Sequence, residues 1–371
     1  MKTGASEPLL HLTMSNYENP TAETERAKIL RMKSHRVLFL AAMALAIAIM
    51  MGYSFTVGTS SLSPSDAYKI LFNQLFPGYF GEFADQYVFI VTQLRAPRVL
   101  VGCLAGAILA MGGCFMQSIM KNPLATPYTL GVSSGAATGA TLYFIFGISI
   151  FGGTMGLITN AFFFALLPVM FMMLVMIRRR VSPTTLILSG VAFSYVFSSI
   201  NSISQYFGDE SAVTNVVFWT IGDLTSSQLW MVLPLSIGVV VYLVYAALFG
   251  KDMDIMRMGE DTASSLGVNV RFITISALVM VCFVTAITVA CCGPIGFVCL
   301  LAPHICRRLV GTDLRWLVPT SACFGAVLLL VADLIAKTAL APQMLPVGAI
   351  TALIGAPVMV YLLYSKKAMK G

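Results

Sequence analysis

The sequence predicts an all-α polytopic membrane protein, and three observations predict it. Of 371 residues, 58% are hydrophobic and only 11% are charged, against about 25% charged in ordinary soluble chains. Apolar runs of bilayer length recur from end to end; a membrane-crossing helix needs about 20 such residues. The 23 Lys and Arg residues sit in short clusters between those runs, so the formal net charge of +7 does not form the basic stripe with interleaved aromatics that binds nucleic acid. A soluble fold is excluded, because so few charges cannot cover a water-facing surface.

Taken in order, residues 1–35 are polar and mixed in charge, and read as a disordered cytoplasmic tail. Ten spans follow, approximately Arg36 to Val57, Ala96 to Ser118, Pro127 to Ile150, Thr154 to Ile177 and Thr184 to Phe207, then Gln228 to Phe249, Arg271 to Cys292, Pro294 to Val310, Arg315 to Thr338 and Pro346 to Tyr364. The apolar stretch 271–310 is long enough for two spans, and Gly293-Pro294-Ile295-Gly296 is its strong turn signal, so the chain is broken there. The ten-helix domain covers 36–366 with an inner loop at 252–270, and 367–371 forms a second cytoplasmic tail. With the N-terminus inside, nineteen of the 23 basic residues fall on inner segments, the bias expected of cytoplasmic loops. Only Lys69, Arg95, Arg98 and Lys337 fall outside. Small residues spaced four apart (Gly102 and Gly106, Gly135 and Gly139, Gly152 and Gly156) predict close helix packing in lipid.

The eight cysteines include no C-x-x-C pair, and six lie inside apolar runs. They read as small apolar fillers, with neither a disulfide framework nor a metal site or cofactor expected. His304 reads as a packing histidine, and Asp333 as an internal partner of Lys337 one helical turn on. No P-loop, H-E-x-x-H or G-x-S-x-G occurs. Energy and catalysis therefore have no visible site of their own, and one intramembrane acid is too few for ion coupling.

Five segments carry more than composition: Leu94-Arg95-Ala96-Pro97-Arg98; Lys121-Asn122-Pro123-Leu124-Ala125-Thr126-Pro127 running on to Leu130-Gly131-Val132-Ser133-Ser134-Gly135; Gly259-Glu260 through Ser265-Leu266-Gly267-Val268; Gly293 to Phe297 with Ala302-Pro303-His304-Ile305-Cys306-Arg307; and Ala332-Asp333 leading to Leu345-Pro346-Val347-Gly348 and Gly355-Ala356-Pro357. In this order they resemble the FecCD family, the transmembrane permease subunits of ABC importers for iron-siderophores, haem and cobalamin. The resemblance implies the type II ABC importer permease fold: a homodimer with two cytoplasmic ABC ATPase subunits below it and an extracytoplasmic substrate-binding protein above. It also implies a bacterial inner-membrane location with both termini cytoplasmic, and a transport subunit rather than an enzyme.

Residue by residue, it places ATPase coupling on Gly259, Glu260, Ala263, Leu266 and Gly267, within a short amphipathic helix that includes Met256 and Met258. It places a cytoplasmic gate on Ser182, Pro183, Thr184 and Thr185, with a second constriction at Asn122 and Leu124. Pro183 stands where relatives more often have Ser or Thr. Arg95, Arg98 and Lys337 are expected to form a cationic dock for the binding protein. The competing function is an ion-coupled secondary transporter, whose uptake would survive loss of the ATPase and collapse with an uncoupler.

Overall fold

The computed structural model describes residues 22–58, 62–178 and 181–364. Every regular element among them is helical. Helix α1 (Ala22–Thr56) is followed on the outer side by two short helices, α2 (Pro64–Leu75) and α3 (Asp85–Phe89), and a π-helical turn, Ile90–Arg95. Then come α4 (Ala96–Ile119), α5 (Val132–Phe146), α6 (Gly153–Arg178), α7 (Pro183–Tyr206), α8 (Glu210–Ile221) and α9 (Val232–Met256). The chain closes with α10 (Glu260–Ser265), α11 (Val270–Cys292), α12 (Val298–Val310), α13 (Leu314–Thr338) and α14 (Val347–Tyr364).

Seven of these are long and apolar enough to cross a membrane, and α5 and α14 are shorter apolar helices. Several boundaries differ from the sequence expectation. Helix α1 begins at Ala22, so residues 22–35, expected to be disordered, continue the first span as helix; residues 1–21 and 365–371 lie outside the described residues. The run Lys28-Ile29-Leu30-Arg31-Met32-Lys33 contains no Gly or Pro to stop a helix. The third expected span is only fifteen residues of helix, because Pro127–Leu130 forms a separate 3-10 turn and Gly131 adopts a left-handed conformation. The eighth is thirteen residues, beginning after Phe297, a non-glycine residue at φ +64°. Three helices escaped the sequence reading: α3 is five residues, and α2 and α8 are twelve each, below the length a span signal detects. Helices α2 and α8 each have a clear start, with Ser63 accepting from Asp66 N–H and Asp209 from Ala212 N–H.

Helix α4 is the centre of the bundle. Twenty-one of its residues are buried, while the spanning part of α1 is only 6% buried and turns Leu38, Leu45 and Ile49 outward. Closeness at the centre depends on missing side chains: a Cβ on Gly106 or on Gly325 would overlap the other's carbonyl oxygen, so α4 and α13 cross with backbones in contact. Gly135 and Gly139 admit the α6 backbone in the same way, but Gly152 faces open space and packs no helix.

The basic residues gather at the bundle ends. At one end Arg36 pairs with Asp313 (3.5 Å), Arg257 donates to Thr312 O, and Arg271 donates to Met176 O. We call this the inner end.

Candidate functional site

At the inner end, four segments meet around a cavity of about 310 Å³. The end of α4 is followed by Lys121, the α6–α7 turn and the start of α7 supply Val181 and Pro183, α10 supplies Glu260, Asp261 and Ser264, and the first turn of α11 supplies Arg271. Lys121 sits at φ +47° just beyond α4, which turns the chain sharply, and its Nζ lies 3.6 Å from Glu260 Oε1. Both side chains are substantially exposed (36% and 58%), so water screens the pair and it contributes at most about 1 kcal/mol.

The geometry of α10 follows from its flanks. Helix α9 runs on to Met256, so residues 252–256, expected in the inner loop, are its last turn. Met256 is correspondingly buried and does not belong to the amphipathic helix expected there. Gly259 at φ +130° and Gly267 at φ +85° bracket α10 with backbone conformations that side-chain-bearing residues rarely adopt. Between them the chain makes six helical residues, anchored by Ala263, which is fully buried. Met258 and Leu266 are left 76% and 64% exposed. Two large apolar side chains beside an exposed carboxylate on the inner surface form a small patch open to a partner.

The expected gate residues are helix-start chemistry in part. Ser182 caps α7 by accepting from Thr185 N–H at 3.2 Å, and its hydroxyl lies 2.9 Å from Thr185 Oγ1. Pro183 takes the first helical position, where a missing N–H costs nothing. Asn122 Oδ1 accepts from Leu124 N–H at 2.9 Å, closing a turn that leaves Leu124 46% exposed. Of this set only Pro183 reaches the inner cavity; Ser182, Thr184, Thr185, Asn122 and Leu124 do not line it.

The outer end holds a second cluster, and it corrects the expected dock. Arg98 Nε donates to Asp333 Oδ1 at 2.7 Å and Nη1 to Thr225 Oγ1 at 2.9 Å, with Asp223 Oδ1 at 3.8 Å from Nη2. Lys337 Nζ lies 2.6 Å from Asp333 Oδ2 and donates to Ser54 Oγ at 3.2 Å. Arg95 Nη1 donates to the carbonyls of Phe55 and Thr56 that end α1. Arg95, Arg98 and Lys337 are only 5–7% exposed, and Asp333 is fully buried. The three cations therefore face inward and present no cationic patch to a binding protein; they tie α1, α4, α13 and the α8–α9 turn together. Burial forces this outcome, since a charge removed from water must find a counter-charge. The expected pairing of Asp333 with Lys337 is present, but Asp223 and Thr225 were missed. Nothing in their local sequence marks them, and Thr225 lies 127 residues from Arg98.

His304 is half-buried in α12, and its Nε2 has no hydrogen-bond partner among the described residues. No cluster of three or more potential metal ligands occurs among the described residues.

The model of the FecCD transport family matches residues 31–365. The chain belongs to the FecCD transport family. It is 38% identical over 311 residues to an ABC transporter permease of Methanocaldococcus jannaschii, covering 80% of this chain and 87% of that one. It is 31% identical over 341 residues to the Fe(3+)-citrate import system permease of Bacillus subtilis, covering 92% and 98%. Among solved structures, an inward-facing metal-chelate type ABC transporter superposes with a TM-score of 0.75 at 28% identity, covering 88% of this chain and 98% of that one. This FecCD member is accordingly an all-α multi-pass permease with the type II ABC importer fold, a transport subunit by family. The motif segments quoted from the sequence all lie within the matched region.

Proposed function

We propose that this FecCD permease is the membrane half of an ATP-driven importer that carries an iron-siderophore or related metal chelate, with haem and cobalamin in the same class, from a substrate-binding protein into the cytoplasm. The observation that carries the reading is the inner face of α10. Met258, Glu260 and Leu266 form an apolar and acidic edge, exposed to water, on a segment whose conformation is fixed by Gly259, Gly267 and the buried anchor Ala263. A helix edge of this kind fits a groove on a cytoplasmic ATPase. Relatives named as ferric citrate import permeases and metal-chelate transporters support the substrate class.

The permease works as a homodimer, with α7 facing the partner copy and the pathway. That helix is only 17% buried and turns Leu188, Tyr195, Val196, Ile203 and Tyr206 outward. Ser182, Pro183, Thr184 and Thr185 at its inner start, with Asn122 and Leu124, narrow the pathway on the cytoplasmic side. Ten crossings, with α5, α12 and α14 as the short ones, leave both termini cytoplasmic in a bacterial inner membrane. The basic residues gathered at the inner end support that orientation.

Proteoliposomes holding the permease with its ATPase and binding protein test the reading. Uptake of a ferric siderophore should require ATP hydrolysis and should persist with an uncoupler. Uptake that runs on a proton or sodium gradient without ATP overturns it in favour of a secondary transporter. Leu266→Asp should abolish co-purification of the ATPase.

A further inference from the structure

A groove opens on the lateral face of the bundle where α9 and α11 part, with α6 at its inner end. It holds about 570 Å³, and Ser276 is its one hydroxyl-bearing lining residue; that hydroxyl is engaged 2.8 Å from the Tyr245 hydroxyl. The wall is otherwise apolar, and along α11 it extends from Phe272 to Ile287. That is roughly 22 Å at about 1.5 Å per residue, longer than one leaflet of a hydrocarbon core about 30 Å thick. Two residues keep the α9 side low. Pro234 is compact, and Gly238 carries no side chain because a Cβ there would come 2.8 Å from Val284 Cγ1. None of the described residues fills the space, and Ile237, Phe272 and Phe283 on its rim are about half exposed.

Basic side chains stand near the inner end of the groove. Arg271 directly precedes Phe272, and its Nη2 donates to the carbonyls of Met176 and Ile177 at the end of α6, leaving other N–H groups of the guanidinium. Arg178, exposed, ends α6. Lys251 is exposed near the end of α9. Arg271 also lines the adjoining inner cavity with Glu260 and Asp261, where Glu260 is paired with Lys121, and Asp252 follows Lys251. Basic pockets between membrane helices on the cytoplasmic side recognise anionic headgroups, and each nearby Lys or Arg adds attraction.

We propose that this groove is a binding site for one anionic phospholipid of the inner leaflet, with an acyl chain lying along α11 and the phosphate at Arg271 and Arg178. An apolar channel at least as long as one leaflet, with Arg271 and Arg178 near its inner end, has the chemistry of such a lipid, whereas a soluble ligand would find a single hydroxyl to bond. The proposal stands on the groove and its mouth and does not depend on the transport reading.

Native mass spectrometry of the purified full-length chain, titrated with phosphatidylglycerol and with phosphatidylcholine of the same acyl chains, tests it. We expect one phosphatidylglycerol per chain retained with about tenfold or greater preference over phosphatidylcholine. Arg178→Gln should reduce that preference several-fold while leaving uptake of phosphatidylcholine unchanged. Val241→Trp, placed on the groove wall at an exposed position, should reduce occupancy by both lipids about tenfold. Equal retention of the two lipids by the wild-type chain overturns the proposal, and this comparison needs no variant to fold. Undiminished lipid occupancy in a monodisperse Val241→Trp protein also overturns it.

Discussion

The two charged clusters of this permease differ in kind. At the outer end, Arg98, Asp333 and Lys337 are almost wholly shielded from water and are joined at 2.6–2.7 Å across α4 and α13. At the inner end, Lys121 and Glu260 face each other at 3.6 Å with much of each side chain in water. The outer set is a clamp: taking Asp333 away strips Arg98 and Lys337 of their shared counter-charge in a low-dielectric interior. The inner pair is weak and screened, so it can be exchanged for contacts with a partner at little cost to the fold. Charge on this chain thus fastens helices where it is buried and remains available for recognition where it is not. The sequence reading had placed recognition at both ends.

The largest expected effect separates the two. Asp333→Ala should destabilise the permease by about 3–5 kcal/mol, read as a large loss of thermal stability in detergent or as failure to accumulate in the membrane. Stability equal to wild type would remove the clamp from the argument. The sharper version replaces the whole set: Arg98→Met with Asp333→Leu and Lys337→Met should recover much of that loss, because a buried ion network exchanged for apolar residues of similar volume is often neutral. No recovery would show that the surrounding polar groups, Ser54, Thr225 and Asp223, need the ions.

Next in size is the inner end. Glu260→Ala and Lys121→Ala should each change stability by less than about 1 kcal/mol. Glu260→Ala should nonetheless weaken ATPase co-purification strongly, and a loss of fold in that variant would contradict the division drawn between the clusters. The smallest effect concerns salt. Raising ionic strength from about 0.1 M to 1 M shortens the screening length from about 10 Å to 3 Å. It should loosen ATPase association through α10 while leaving the thermal stability of the isolated permease nearly unchanged, since the clamp is out of reach of solvent ions.

Much of the fold was legible because its causes are local. Runs such as 271–310 announce membrane helices by length and composition alone, and Gly293-Pro294 marks where the run must turn. The short elements were illegible for the same reason. A span signal averages over about 20 residues, so α2 and α8 at twelve residues disappeared into loops, and α12 at thirteen was drawn too long. At the candidate site, Gly259, Glu260, Ala263, Leu266 and Gly267 could be singled out through the resemblance to the family, and Asp333 with Lys337 by their spacing of one turn. The meeting of Lys121 with Glu260 could not, nor could that of Arg98 with Asp223 and Thr225.

By itself the sequence determined that this chain lives in a membrane, which end of most spans bears the basic residues, and which family it joins, because hydropathy, charge counts and ordered motifs are properties of short stretches of chain. The tertiary structure alone decided whether a given charge is a surface for others or a fastening for itself. Arg98 and Asp333 lie 235 residues apart, and only the crossing of α4 on α13 at Gly106 and Gly325 brings their helices close enough for one to neutralise the other. Whether a cation is free depends on what the fold places beside it, and that neighbour is not written in the cation's own segment.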